Sequence, residues 1–186
     1  MIENFIRWYD NVVDDQFCDE LVEKFEQHQD QTFKVAHGDR FNFQELRLLD
    51  HLDTFEHESN VLKDIFLGSV KRYKIDCNIQ DVMFPTNVGY ENFRMKKYEP
   101  NGKDQFNDHV DVGDYTSARR FLVFFLYLND NEAGQTDFPQ MDISVQPKKG
   151  RLLVFPPLWT HLHAGRPPVN TPKYIVGSYL HYVDEQ

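Results

Sequence analysis

Cys18 and Cys77 are the only cysteines among 186 residues, and neither belongs to a CxxC pair. Two isolated thiols so far apart exclude a disulfide framework, and they read as reduced, buried side chains with no role in chemistry. Long apolar runs are missing too. Nowhere do eighteen apolar residues run together, and the opening MIENFIRWYDNVVDD has no basic segment leading into an apolar one. The expectation is a soluble cytoplasmic protein with neither a membrane span nor a secretory signal. A basic excess is absent as well, the formal net charge being -10. Residues 1–60 hold fifteen Asp and Glu against five Lys and Arg, which leaves fifteen of each for residues 61–186. An acid excess confined to the first third repels phosphate backbones and argues against nucleic acid as a partner. There is no internal repeat and no low-complexity tract.

Aromatic residues are abundant instead: sixteen Phe, nine Tyr and two Trp bring the aromatic share to 15% within a chain that is 40% hydrophobic. That composition builds a packed core rather than a disordered chain, and the length suits one domain over 1–186. VVDDQFCDELVEKFEQHQ predicts a first helix, with Phe17, Leu21, Val22 and Phe25 at helical spacing behind the capping candidates Asp14 and Asp15. HESNVLKDIFLGSVKRYKIDC predicts a second, with Val61, Leu62, Ile65, Phe66, Val70 and Tyr73 on one stripe. The stretch between them mixes polar and aromatic residues and reads as a loop with a short strand. Residues 1–78 therefore form a mainly helical support region.

From residue 79 the pattern changes to short strands separated by the turn signals EPNGKD, NDNEAGQ, PKKG and GRPPVNTP. VGYENFRMKKY and FNDHVDV alternate, RRFLVFFLYLN suits a strand covered on both faces, and RLLVFP, WTHLHA and KYIVGSYLHYV follow. The fold class expected is α+β, a β-sandwich or barrel over 79–186 braced by helices.

Within this strand region, DHVDV places His109 and Asp111 on one side of a pleated backbone. Histidine and carboxylate at that spacing supply two of the three ligands of the two-histidine, one-carboxylate arrangement, which leaves coordination positions open on ferrous iron. WTHLHAG offers the second histidine as His161 or His163. Lys173 then opens a strongly apolar strand, either in solvent at its first residue or buried, where an ammonium needs a counter-charge that an anionic ligand could supply.

Taken in order, RMKKYEPNGKDQFNDHVDV, RRFLVFFLYLND, EAGQTDFP and VQPKKGRLLVFPPLWTHLHAGRPPVNTPKYIVGSYL resemble the catalytic domain of the Fe(II)- and 2-oxoglutarate-dependent dioxygenases, in the prolyl 4-hydroxylase branch. The resemblance spans roughly residues 88 to 182 and implies a double-stranded β-helix with the site at its mouth. It implies His109, Asp111 and His163 as iron ligands, since the family's ten-residue gap to the basic residue is met between His163 and Lys173. His161 would then stand behind the ligand or in the pocket wall. Lys173 would pair with the distal carboxylate of 2-oxoglutarate with help from Tyr127, and Tyr98 would lie near iron and cosubstrate. Thr136 matches a small polar position after the family's glycine, although Ala133 and Gln135 depart from the usual pattern there.

The implied reaction consumes O2 and 2-oxoglutarate, with ascorbate as an accessory reductant, releases succinate and CO2, and hydroxylates a C–H bond, foremost that of a prolyl residue in a peptide or protein. Arg120 matches a position that can reach the substrate, or else is, like Arg119, a solvated charge at a strand start. Trp159 would stack on a proline ring or fill the barrel end. The same core also serves oxygenases of nucleobases and small metabolites, and a barrel that binds metal or peptide without catalysis is a third possibility.

Overall fold

The structure, a computed structural model, describes residues 2–184. Helix α1 (Asp15–Gln27) begins where the sequence places its cap: Asp14 Oδ1 accepts the Phe17 N–H at 2.8 Å, satisfying one of the first-turn donors that the helix cannot. Helix α2 (Leu52–Asp76) starts five residues earlier than its apolar stripe suggests. Between and before the helices lie strands β1 (Arg7–Tyr9), β2 (Phe33–His37) and β3 (Phe41–Arg47). After them come β4 (Val88–Tyr90), β5 (Arg94–Tyr98), β6 (Gln105–His109), β7 (Arg120–Tyr127) and β8 (Thr136–Phe138). The last four are β9 (Ile143–Val145), β10 (Arg151–Phe155), β11 (His163–Gly165) and β12 (Lys173–Tyr182).

All pairings are antiparallel, and the sheet runs β1-β10-β7-β12-β5-β3-β6-β11-β8-β9, with β2 on β3 and β4 on β12. Curled on itself, this sheet is a double-stranded β-helix, and its central strands are buried on both faces. In β7, Leu122, Phe124 and Leu126 point outward to α1 and α2, whereas Val123, Phe125 and Tyr127 point into the barrel. Strands β10 and β12 divide the same way, with Leu152, Val154, Tyr174 and Val176 outside and Leu153, Phe155 and Ile175 inside. Two-sided burial is why these segments read as unbroken apolar runs rather than alternating ones. On the outer side the Phe66 ring of α2 stacks on Phe124 of β7, with centroids 5.1 Å apart. Each such ring taken out of water contributes roughly 1.5–3 kcal/mol, which fixes the helices against the barrel.

Two expectations need correction. Residues 30–50 are not loop with a brief strand: β2 and β3 form a hairpin, and β3 sits mid-sheet between β5 and β6. The division at residue 78 therefore does not separate helices from barrel. Polar Asn42 and Gln44 alternating with Phe43 and Glu45 hid a strand whose barrel-facing side carries charge. The strand expected over WTHLHA shrinks to His163–Gly165, because residues 159 and 160 turn instead.

Candidate active site

Strand β6 ends on His109, β11 begins on His163, and the two residues face each other directly across the antiparallel ladder. Sheet register alone thus brings the imidazoles together, with ring centroids 4.3 Å apart. Asp111 lies just past the end of β6, where its backbone N–H donates to Pro157 O at 3.1 Å and its carbonyl accepts from Arg120 Nη1 at the same distance. Its carboxylate reaches both rings: Oδ1 is 3.4 Å from His109 Nε2 and Oδ2 is 3.5 Å from His163 Nε2.

Each imidazole is oriented by a backbone carbonyl. His109 Nδ1 meets Asn107 O at 2.7 Å and His163 Nδ1 meets His161 O at 3.0 Å. A carbonyl only accepts, so both Nδ1 atoms carry a proton and both Nε2 atoms face Asp111. Burial pushes the His163 pKa down to about 4, partly offset by Asp111, so the ring is neutral near pH 7. Burial raises the Asp111 carboxyl, but the two histidines outweigh it and hold the group well below the usual carboxylate range. The triad therefore sets one carboxylate anion against two imidazoles whose Nδ1 atoms are held by backbone carbonyls, with donor atoms all within 4.8 Å of one another. Asp111 Oδ2 and His163 Nε2 are buried without a hydrogen-bond partner. Buried polar atoms left unsatisfied are costly, and a divalent cation of borderline hardness would satisfy both; this donor set fits Fe(II).

A cavity continues inward from the triad, lined by Tyr98, Phe125, Thr136, Lys173 and Ile175. Lys173 is 1% exposed, and its ammonium donates to Gly134 O at 2.8 Å and Arg166 O at 3.2 Å. It lies 4.4 Å above the Tyr98 ring. An ammonium has three donors, so one remains for a ligand in the cavity. Tyr127 donates its hydroxyl to Thr136 Oγ1 at 2.7 Å beside it. Gly134 is required in this arrangement: its φ is +74°, and a Cβ there would come within 3.1 Å of Lys173 Cδ and 3.3 Å of the Pro168 backbone.

Other sequence candidates lie elsewhere. His161 is buried, bonded through Nδ1 to Thr160 Oγ1 at 2.8 Å, and takes part in the site only through the carbonyl that orients His163. Trp159 is 78% exposed and does not fill the barrel end. Arg120 is half-buried and held by Glu91 in a bidentate pair at 2.7 and 2.9 Å, so its guanidinium supports the Asp111 backbone instead of standing free, while Arg119 is exposed. Sequence reasoning missed Lys96, which lines the cavity from β5. The signal was available: Lys96 sits two residues before Tyr98 on an alternating strand and shares its face.

Residues 93–181 match the family model described as the 2OG-Fe(II) oxygenase superfamily. None of the curated proteins matches the chain by sequence. Among solved structures, the chain is similar to a viral collagen prolyl hydroxylase from Paramecium bursaria Chlorella virus-1 in complex with 2OG, with 21% identity, a TM-score of 0.68 and 97% of each chain covered. It is also similar to a Trichoplax adhaerens prolyl hydroxylase bound to a hypoxia-inducible-factor peptide fragment, with 15% identity and a TM-score of 0.72 over 96% of this chain and 84% of the other. A Pseudomonas putida prolyl-4-hydroxylase aligns at 14% identity with a TM-score of 0.68, covering 97% and 94%.

Proposed function

We propose, from the premise that residues 93–181 form a 2OG-Fe(II) oxygenase domain, that this chain is a dioxygenase hydroxylating a prolyl residue of a peptide or protein. His109, Asp111 and His163 would hold Fe(II), and Lys173, Tyr127, Tyr98 and Thr136 would hold 2-oxoglutarate. Iron and 2-oxoglutarate bound together supply the power to convert a C–H bond and O2 into an alcohol, succinate and CO2. The observation that carries this is the buried, partnerless face of the triad opening into the cavity that ends on Lys173.

The protein's own contribution is positioning. The Asn107 and His161 carbonyls hold the two Nδ1 atoms in place, so both Nε2 atoms stay directed at one point. Lys173 gives the distal carboxylate of the cosubstrate a charged donor, and the Tyr127–Thr136 pair gives it a hydroxyl edge. Phe125 and Ile175 keep water from the cavity wall, which strengthens these electrostatic contacts. The likeness to prolyl hydroxylases at 14% to 21% identity supports the fold, and one of those neighbours carries a peptide, which favours a peptide substrate here.

The test is anaerobic Mn(II) binding followed by aerobic turnover with Fe(II), 2-oxoglutarate and ascorbate on proline-containing peptides. Succinate release together with a peptide gaining one oxygen is expected. His109→Ala should abolish both the Mn(II) signal and succinate release; full activity in that variant would reject the ligand set.

A further inference from the structure

Strand β5 lays Arg94, Lys96 and Tyr98 along the barrel-facing side, while Met95 between them packs under the helices. Tyr98 belongs to the deep end with Lys173, but Lys96 sits nearer the mouth. It is 7% exposed, and its Nζ lies 4.7 Å from the centroid of the Phe43 ring and 5.8 Å from that of Phe106, the ring on which His109 stacks at 3.5 Å. Among the described residues it has neither an ion-pair nor a hydrogen-bond partner, unlike Lys173 with its two carbonyls. Glu45 and Asp111 act on it only from beyond ion-pair distance and the two rings offer it only their faces, so its three N–H donors stay available to a ligand.

Lys96 also lines a groove of about 300 Å³ that opens from the triad to the surface. Five cations border this groove: Arg40, Arg47, Arg94, Lys96 and Arg120. Their neutralising acids are fewer. Arg94 and Arg120 share the single carboxylate of Glu91 at 2.8 and 2.7 Å, and Arg47 holds Glu45 at 2.9 Å. Asp111 belongs to the triad. Even with Asp111 counted, five cations set against three carboxylates leave an excess of two in a chain whose net charge is -10. A cleft of one sign with low-dielectric walls concentrates ions of the other.

We propose that this groove takes a substrate bearing a carboxylate close to the oxidised carbon, and that Lys96 is the residue that binds it. This rests on the oxygenase assignment and deepens it to a substrate class. The carboxylate has two sources: an Asp or Glu side chain flanking the target residue in a peptide, or the α-carboxylate of a free amino acid. A polynucleotide fits worse, because the chain's net charge is -10 and its acid excess lies in the first sixty residues.

The experiment measures binding to the Mn(II)-loaded protein. Fluorescein-labelled peptides with one proline flanked by Asp or Glu are compared with twins carrying Asn or Gln; L-proline, L-glutamate and a single-stranded oligonucleotide serve as competitors. The acidic peptides should bind about tenfold more tightly than their amide twins, the value of one hydrogen bond to a charged group. Lys96→Met should collapse that ratio to near one and Lys96→Arg should retain it. Affinity for 2-oxoglutarate should fall in Lys173→Met but not in Lys96→Met, where loss of the neighbouring positive charge favours the Lys173 ammonium. Preference for the free amino acids with the same Lys96 dependence assigns the carboxylate to the α position. Equal binding of acidic and amide peptides, loss of 2-oxoglutarate on Lys96→Met as severe as on Lys173→Met, or tighter binding of the oligonucleotide overturns the proposal. Normal Mn(II) and 2-oxoglutarate binding without charge preference removes this proposal alone, whereas failure to bind either removes the oxygenase assignment beneath it.

Discussion

Binding of 2-oxoglutarate should draw a proton onto Lys173. Burial, reinforced by the nearby positive charge of Lys96, lowers the Lys173 pKa from its ordinary 10.5 to about 7. A displacement of that size means that on the order of 5 kcal/mol disfavours the ammonium in the empty cavity. A dicarboxylate arriving at Nζ restores the charged form, so binding and protonation are linked. With a pKa near 7, about 0.9 of the lysines are neutral at pH 8 and about 0.1 at pH 6. Calorimetric titration of the Mn(II)-loaded protein in buffers of different ionisation heat should therefore report an uptake of about 0.9 proton at pH 8, falling to about 0.1 at pH 6. Affinity should weaken as pH rises above 7. The ligand-free fold carries the same signature with a definite sign. The folded lysine releases its proton near pH 7 and the unfolded one near 10.5, so the unfolded chain binds more protons in that window. This group's contribution therefore makes stability rise with pH by up to about 1.4 kcal/mol per unit between those values, and the penalty is fully present below pH 7. Lys173→Met should raise the melting temperature most at or below pH 7 while destroying 2-oxoglutarate binding. No proton uptake at pH 8, or an affinity flat from pH 6.5 to 8.5, would refute the linkage.

Tyr127→Phe removes the hydroxyl that donates to Thr136 at 2.7 Å. Losing one buried hydrogen bond of about 1 kcal/mol should raise the KM for 2-oxoglutarate roughly fivefold with kcat little changed, as read by succinate release. Arg120→Ala strands the Glu91 carboxylate and frees the Asp111 carbonyl. Discounted for partial exposure, the cost should be on the order of 2 kcal/mol, a fall of about 4–8 °C in the thermal midpoint. A melting temperature unchanged within a degree would show that the pair is solvent-screened.

Much of the site was legible because its parts are local in sequence. His109 and Asp111 are two residues apart, and Lys173 opens a strand whose apolar pattern is unmistakable. The helices were equally plain, since Phe17, Leu21 and Phe25 repeat on one face that does pack on the barrel. Strand β3 was not, because its inward side carries Phe43, Glu45 and Arg47 toward the groove and the polar–apolar contrast on which strand recognition depends is lost there. Arg120 looked like a free charge for the same kind of reason. Its partner Glu91 lies twenty-nine residues away, and no short-range pattern announces an ion pair at that separation. Lys96 was legible only after Tyr98 had been placed on the inner face.

The direct pairing of His163 with His109 also sets which insertions and deletions the chain can absorb. Lengthening the turns at 99–104 or 166–172 leaves that ladder contact in place, because neither turn lies between the donors' strands and the rung they share. Removing one residue inside β6 or β11 moves an imidazole to the opposite face of the sheet and disarms the centre without unfolding the barrel. Natural length variation around this scaffold should therefore collect in the turns and stop short of those two strands.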